Sequence, residues 1–161
     1  MDKNHKLLFH GAKSRIEGKL DIHKSRTNND LGQGFYTGER YEQAISFISG
    51  FEKSSVYIFD FKEEGLKGKK YNVNQEWMMT IAYYRGALEE YENHPIIKKL
   101  IEKSCDCDYI IAPIADNRMF QIIKSFIMGE ITDEQCKHCL AATNLGYQYV
   151  FKSDKAIKSL K

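Results

Sequence analysis

The residues of this chain whose types and spacing could do chemistry fall at four places. His10 is followed by Gly11 at the end of the apolar run "KLLFHG", which sets an imidazole beside a backbone amide that no side chain shields. "DLGQGFYTG", Asp30 to Gly38, brackets one residue with two glycines and follows them at once with Phe35 and Tyr36. Glycine permits positive φ or close approach of backbone to a ligand, and aromatic rings are flat surfaces on which a second ring can stack. "CDC" and "CKHC" supply Cys105, Cys107, Cys136, Cys139 and His138, enough ligands for tetrahedral zinc. Asp116 closes a second apolar run, "YIIAPIA", where a carboxylate can serve a site at a strand end or cap the next helix.

Each of these has a plainer competitor. A dinucleotide fingerprint needs a strand before its glycines and a third glycine at position 37, but that residue is Thr37 and the preceding "KSRTNND" is polar. The competing reading of the loop is a turn before a helix. Cys136, Cys139, Leu140 and Thr143 follow one buried helix face, where a thiol acts as a small hydrophobe, so a reading without metal is preferred. Glu63/Glu64 and Glu89/Glu90/Glu92 sit among lysines as solvated faces. A lone histidine such as His10 is more often structural than functional, and taken singly it decides nothing.

The elements that must position these groups are mixed. "KLLFHG", "SVYIFDF", "DYIIAPIAD" and "YQYVF" read as strands, with "IEGKLDI" as a further short one. From Glu39 the pattern is helical, with Ala44, Phe47, Ile48 and Phe51 on one face. "GLKGKK" reads as a turn, and Asn72 or Asn74 caps a helix through "QEWMMTIAYYRGALEEY". Pro95 opens another helix, and "NRMFQIIKSFIMG" is a helix with Phe120, Ile123 and Ile127 on one face that stops at Gly129. Thr132 and Gln135 form a capping-box signature for a helix through Leu145, and a terminal helix begins near Asp154. Strands and helices do not alternate regularly, so the expected class is α+β.

The 161 residues, 42% of them hydrophobic, suit one domain with one core. The balance of 24 basic against 22 acidic residues, net +2, gives no strong nucleic-acid footprint over the whole chain, though a local patch remains compatible with it. The expected partner is a small molecule or another protein. No apolar run is long enough to span a bilayer, no secretory h-region follows the start, and two close cysteine pairs are not a secreted disulfide framework. These features predict a cytoplasmic protein without a membrane partner.

In order along the chain, "LFHGA", "GQGFYTG" and "YQYVF" resemble the ADP-ribosyltransferase superfamily, in the branch of diphtheria toxin and the poly(ADP-ribose) polymerases. "DLGQGFY", "ADNRMF" and "QYVF" are further similar to a small bacterial family of unknown function assigned to that fold, so the resemblance covers nearly the whole chain. It implies a split β-sheet core with flanking helices and NAD as substrate. Tyr36 would stack on nicotinamide, with Gly34 and Phe35 beside it and Phe47 closing the other side of the ring. His10 would meet a ribose hydroxyl, and the Gly11 backbone would hold the carboxamide. Arg26 and Arg118 are the side chains suspected of pyrophosphate contact, with Lys24, Asn28 and Asn29 near Arg26.

Gln148 stands where the superfamily has its catalytic glutamate, and Ala44 where it often has serine. Glutamine keeps a hydrogen bond but supplies no charge. Asp116, then Asp30, then Glu76 are candidates to replace the carboxylate. The implied function is mono-ADP-ribosylation of a macromolecular acceptor, protein or nucleic acid, by a toxin restrained by an antitoxin-like protein. The alternative is a non-catalytic member that binds NAD or ADP-ribose, and a pure interaction module is the third reading.

Overall fold

The computed structural model describes residues 5–24, 29–142 and 145–160. Six strands, β1 (His5–Ala12), β2 (Phe35–Gly38), β3 (Ser55–Lys62), β4 (Gly68–Lys70), β5 (Tyr109–Pro113) and β6 (Tyr147–Phe151), form one mixed sheet. Their order is β3-β1-β2-β6-β5-β4, and β4 with β5 is the parallel pair in an otherwise antiparallel ladder. The helices are α1 (Tyr41–Ile48), α2 (Gln75–Tyr84), α3 (Pro95–Cys105), α4 (Asn117–Ile127), α5 (Asp133–Ala141) and α6 (Asp154–Lys158). The mixed α+β class expected from the sequence is the one observed.

Alternation along β5 and β6 explains how the sheet carries two cores. Ile110, Ala112 and Val150 face one side, where Trp77, Met78 and Ile81 of α2, Met119 and Ile123 of α4, and Leu140 of α5 cover them. Tyr109, Tyr149 and Phe151 face the other, against Leu8, Phe35, Phe61 and the α6 residues Ala156 and Ile157. Full burial of a large apolar side chain contributes about 1.5–3 kcal/mol, so β6, packed on both faces, is a firm backing for whatever lies beside it.

Caps set the helix starts. Asn74, Asp116 and Ser153 accept from the backbone N–H groups of Trp77, Met119 and Ala156 at 3.0, 2.8 and 3.1 Å. Thr132 and Gln135 form the full capping box.

Several boundaries differ from the sequence reading. "IEGKLDI" is not a strand; Ile22–Lys24 is a single 3-10 turn whose Ile22 packs into the second core. "GLKGKK" is more than a turn, because Gly68–Lys70 pairs with β5, and Gly68 fits there only because its missing side chain leaves room for the Tyr109 ring. α2 stops at Tyr84 instead of reaching Tyr91: Gly86 takes φ +87° and redirects the chain into a 3-10 turn at Glu89–Tyr91. α5 stops at Ala141, short of Leu145.

Two helix faces are narrower than expected. On α1 the buried stripe is Ala44 and Ile48, while Phe47 and, just beyond the helix, Phe51 are exposed. On α5 Cys136 is buried with its thiol 3.2 Å from the Met78 sulfur, whereas Cys139 is exposed. Among the described residues no helix is long and apolar enough to cross a membrane.

Candidate functional site

β1 pairs with β3 along its whole length, but with β2 only where Phe9 opposes Gly38. Beyond that point the two strands part. The gap opens a cleft of about 750 Å³ that His10, Gly11, Gly34, Phe35, Tyr36, Phe47, Asp116 and Gln148 all line. Asp30 lines it as well, whereas Glu76 and Arg118 are not among its walls; Glu76 lies 2.8 Å from Lys69. Arg26 and Asn28 lie outside the described residues.

Strand register explains why Tyr36 and Gln148 share this cleft. Phe9, Gly38 and Gln148 stand in one row across β1, β2 and β6, and Tyr36 opposes Val150 one pleat further along the same face. A side chain at Gly38 would meet nothing within 4 Å, so the sheet is open at that point.

The glycines flanking Gln33 act on the protein itself. Gly32 has φ +82°, which favours glycine, and a Cβ there would lie 2.7 Å from the Tyr84 ring. At Gly34 a Cβ would lie 2.7 Å from Val150 and 2.9 Å from the Phe151 carbonyl, so the loop presses on β6. The Tyr36 hydroxyl locks the loop, donating to the Gly32 carbonyl at 2.6 Å and accepting from Leu31 N–H at 3.0 Å. Burial pushes that hydroxyl well above its ordinary pKa of 10.0, so it stays protonated. Gly11 has its own packing reason, since a Cβ would collide with the Ala44 carbonyl of α1.

His10 stacks on Phe35, with centroids 4.3 Å apart and planes at 27°, and its Nδ1 is 2.6 Å from the Tyr36 carbonyl. A carbonyl only accepts, so Nδ1 carries the proton and the neutral ring leaves Nε2 as an acceptor. Burial lowers the His10 pKa below 6.5, and the bond to Tyr36 restores only part of it. Gln148 is 8% exposed and donates from Nε2 to the Pro113 carbonyl at 3.3 Å, which leaves Oε1 as its acceptor.

The two carboxylates at the cleft differ. Asp116 is exposed at its edge, with Oδ1 holding the Met119 N–H. Asp30 accepts from Arg85 Nε at 2.5 Å; burial pushes its carboxyl up, and the guanidinium opposes that shift. Among the described residues no group of three metal-ligating side chains converges.

Arg85 is the site residue that sequence reasoning missed. Besides Asp30 it holds the Ala115 carbonyl at 2.9 Å and Asn117 Oδ1 at 3.2 Å, and it lies 4.8 Å over the Phe120 ring. It thereby ties the glycine loop to the end of α2 and the start of α4. The signal available was one cation at a helix end beside Gly86, but its carboxylate partner is 55 residues away.

The chain belongs to the DUF3990 family, proteins of unknown function, whose family model matches residues 7–161. No curated protein and no solved structure matches it significantly.

Proposed function

We propose that this DUF3990 protein is an NAD-dependent mono-ADP-ribosyltransferase built on an ADP-ribosyltransferase-like split sheet, acting on a macromolecular acceptor. The observation that carries this reading is the convergence of His10, Gly11, Tyr36 and Gln148, from three strands, on the cleft where β1 and β2 part. Tyr36 and Phe47 offer aromatic faces for nicotinamide, and the Gly11 backbone suits its carboxamide. His10 Nε2 and Gln148 Oε1 are neutral acceptors suited to ribose hydroxyls. Together they would hold a flexible dinucleotide in one reactive conformer.

In the reaction the bond between the ribose anomeric carbon and the nicotinamide nitrogen breaks, and its electron pair leaves with neutral nicotinamide. An acceptor nucleophile attacks the oxocarbenium-like carbon and gives up its proton. Gln148 cannot offset the developing positive charge. Asp116 is the better substitute, because Arg85 already compensates Asp30. An activity that modifies macromolecules of its own cell needs restraint, which fits a cytoplasmic toxin paired with an antitoxin-like protein.

A second reading has its own observation. The Gln148 amide is committed to Pro113 and carries no charge, which suits a pocket that binds NAD or ADP-ribose without turnover.

The deciding experiment is nicotinamide release from NAD by the purified protein, run beside Tyr36→Ala and Asp116→Asn. Release that both substitutions diminish supports the transferase, and labelled ADP-ribose in a lysate would then mark its acceptor. NAD-induced stabilisation without release supports the binding protein. Neither release nor stabilisation would remove both readings.

A further inference from the structure

Past His10, Gly11 and Phe47 the cleft continues into a wider mouth of about 950 Å³. Lys13, Arg15, Lys24 and Lys53 line this mouth, with Glu17 as the acidic residue among its walls. The chain as a whole is only +2, so this is a local concentration of positive charge. Among the described residues none of the four cations makes an ion pair.

Phe47 lines the mouth, and Phe51 stands beside it across Lys13. Phe47 is 61% exposed and Phe51 46%, and the Lys13 ammonium lies 5.2 and 4.9 Å from their centroids. The buried stripe of α1 is Ala44 and Ile48, so these rings are left partly to solvent. Exposed flat rings interleaved with unpaired cations are a surface for stacked bases and phosphates.

We propose that this mouth binds single-stranded nucleic acid as the ADP-ribose acceptor, an inference that rests on the transferase reading above. A base stacks on Phe51 while the backbone follows the cations, which leads one strand past Phe47 toward the ribose site. A paired duplex hides its base faces from the Phe51 ring. An acidic polypeptide satisfies the cations but leaves that ring uncovered. In the transfer a nucleophilic base or sugar atom of the strand bonds to the anomeric carbon as nicotinamide departs with the electron pair. The proton of that atom goes to Asp116 or to water.

The test is fluorescence anisotropy of the whole protein, without NAD, against a labelled 12-nucleotide single strand of RNA or DNA, a duplex and poly-glutamate. Single strands should bind best, and contact with four phosphates would weaken them about 50-fold between 50 and 200 mM salt. Phe51→Ala should weaken binding at least about fivefold, and Lys53→Glu should both weaken it and flatten the salt dependence, with nicotinamide release unchanged in each.

No binding, equal binding of duplex or poly-glutamate, or wild-type affinity in both variants overturns the proposal. If Lys53→Glu instead impairs NAD turnover and no strand binds, the cations serve the NAD pyrophosphate. Nicotinamide release without strand binding sinks this inference and leaves the transferase standing. Strand binding without release removes the transferase, and the acceptor role falls with it.

Discussion

His10 donates from Nδ1 to the Tyr36 carbonyl across 2.6 Å, and this bond joins β1 to β2 just beyond the point where their ladder ends. A side chain thus takes the place that backbone N–H groups would fill had the strands stayed paired. The bond also fixes the tautomer, so one nitrogen braces the split and the other faces outward as an acceptor. Support resides on one edge of the ring, and the acceptor proposed to meet a ribose hydroxyl on the other.

They can therefore be separated. His10→Asn keeps a donor near the Nδ1 position and should hold stability within about 1 kcal/mol of wild type, whereas His10→Ala should lose about 1–2 kcal/mol. Both should raise KM for NAD about tenfold or more, because neither offers an acceptor at Nε2. The folded pKa of His10 lies below 6.5, so the unfolded chain takes up the proton first. This residue's contribution is whole above pH 6.5 and is lost as pH falls from there through the folded value. Denaturant midpoints between pH 5 and 8 should show that loss in wild type and not in His10→Asn.

Tyr36 divides in the same way between hydroxyl and ring. Tyr36→Phe strands the Gly32 carbonyl and the Leu31 N–H and should cost about 1–3 kcal/mol, read as a drop of about 2–4 °C in Tm per kcal/mol. It retains an aromatic face, so NAD affinity should stay within about threefold. Tyr36→Ala should abolish NAD-induced stabilisation. Equal NAD affinity in Phe and Ala variants would show that the ring does not stack.

How much of this was legible beforehand follows from how local each signal is. The caps at Asn74, Asp116 and Thr132 were readable because a cap and its N–H partner lie within three residues of one another. The strands carrying His10 and Gln148, and β5 just before Asp116, were readable from short apolar runs. "GLKGKK" was misread because Gly68–Lys70 becomes a strand only through its parallel partner β5, far along the chain. Phe47 and Phe51 follow helical spacing whether or not anything covers them, so periodicity could not show that they are exposed. The role of Arg85 depends wholly on contacts that the fold creates.

Arg85 joins three segments that form cleft walls, and its removal leaves Asp30 mostly buried without its cation. Arg85→Ala should cost about 3 kcal/mol, and Arg85→Lys should recover less than half of that, since an ammonium cannot reach all three partners in the same geometry. Asp30→Asn with Arg85→Gln should be more stable than the sum of the single changes requires. A double-mutant cycle by urea unfolding measures this coupling, and additivity would mean the pair contributes nothing as a pair.

The hydrogen bond from Gln148 to Pro113 makes the behaviour of Gln148→Glu specific. An ionised carboxylate cannot donate to a carbonyl, so two acceptors would face each other at a position only 8% exposed. The substitution should cost about 1–3 kcal/mol at pH 8. Burial would raise the new carboxyl's folded pKa above the ordinary 4.3 of glutamate, so the cost should fade as pH drops through that raised value and the acid regains a proton to donate. Melting temperatures of the two proteins should therefore be furthest apart at pH 8 and draw together as pH falls through that raised value toward about 4.3. If the cleft is a transferase site, the oxocarbenium-like state would repay the buried charge, and nicotinamide release should rise at the pH where the fold is weakest. Release that fell together with stability at high pH would mean that glutamine is the side chain this cleft requires.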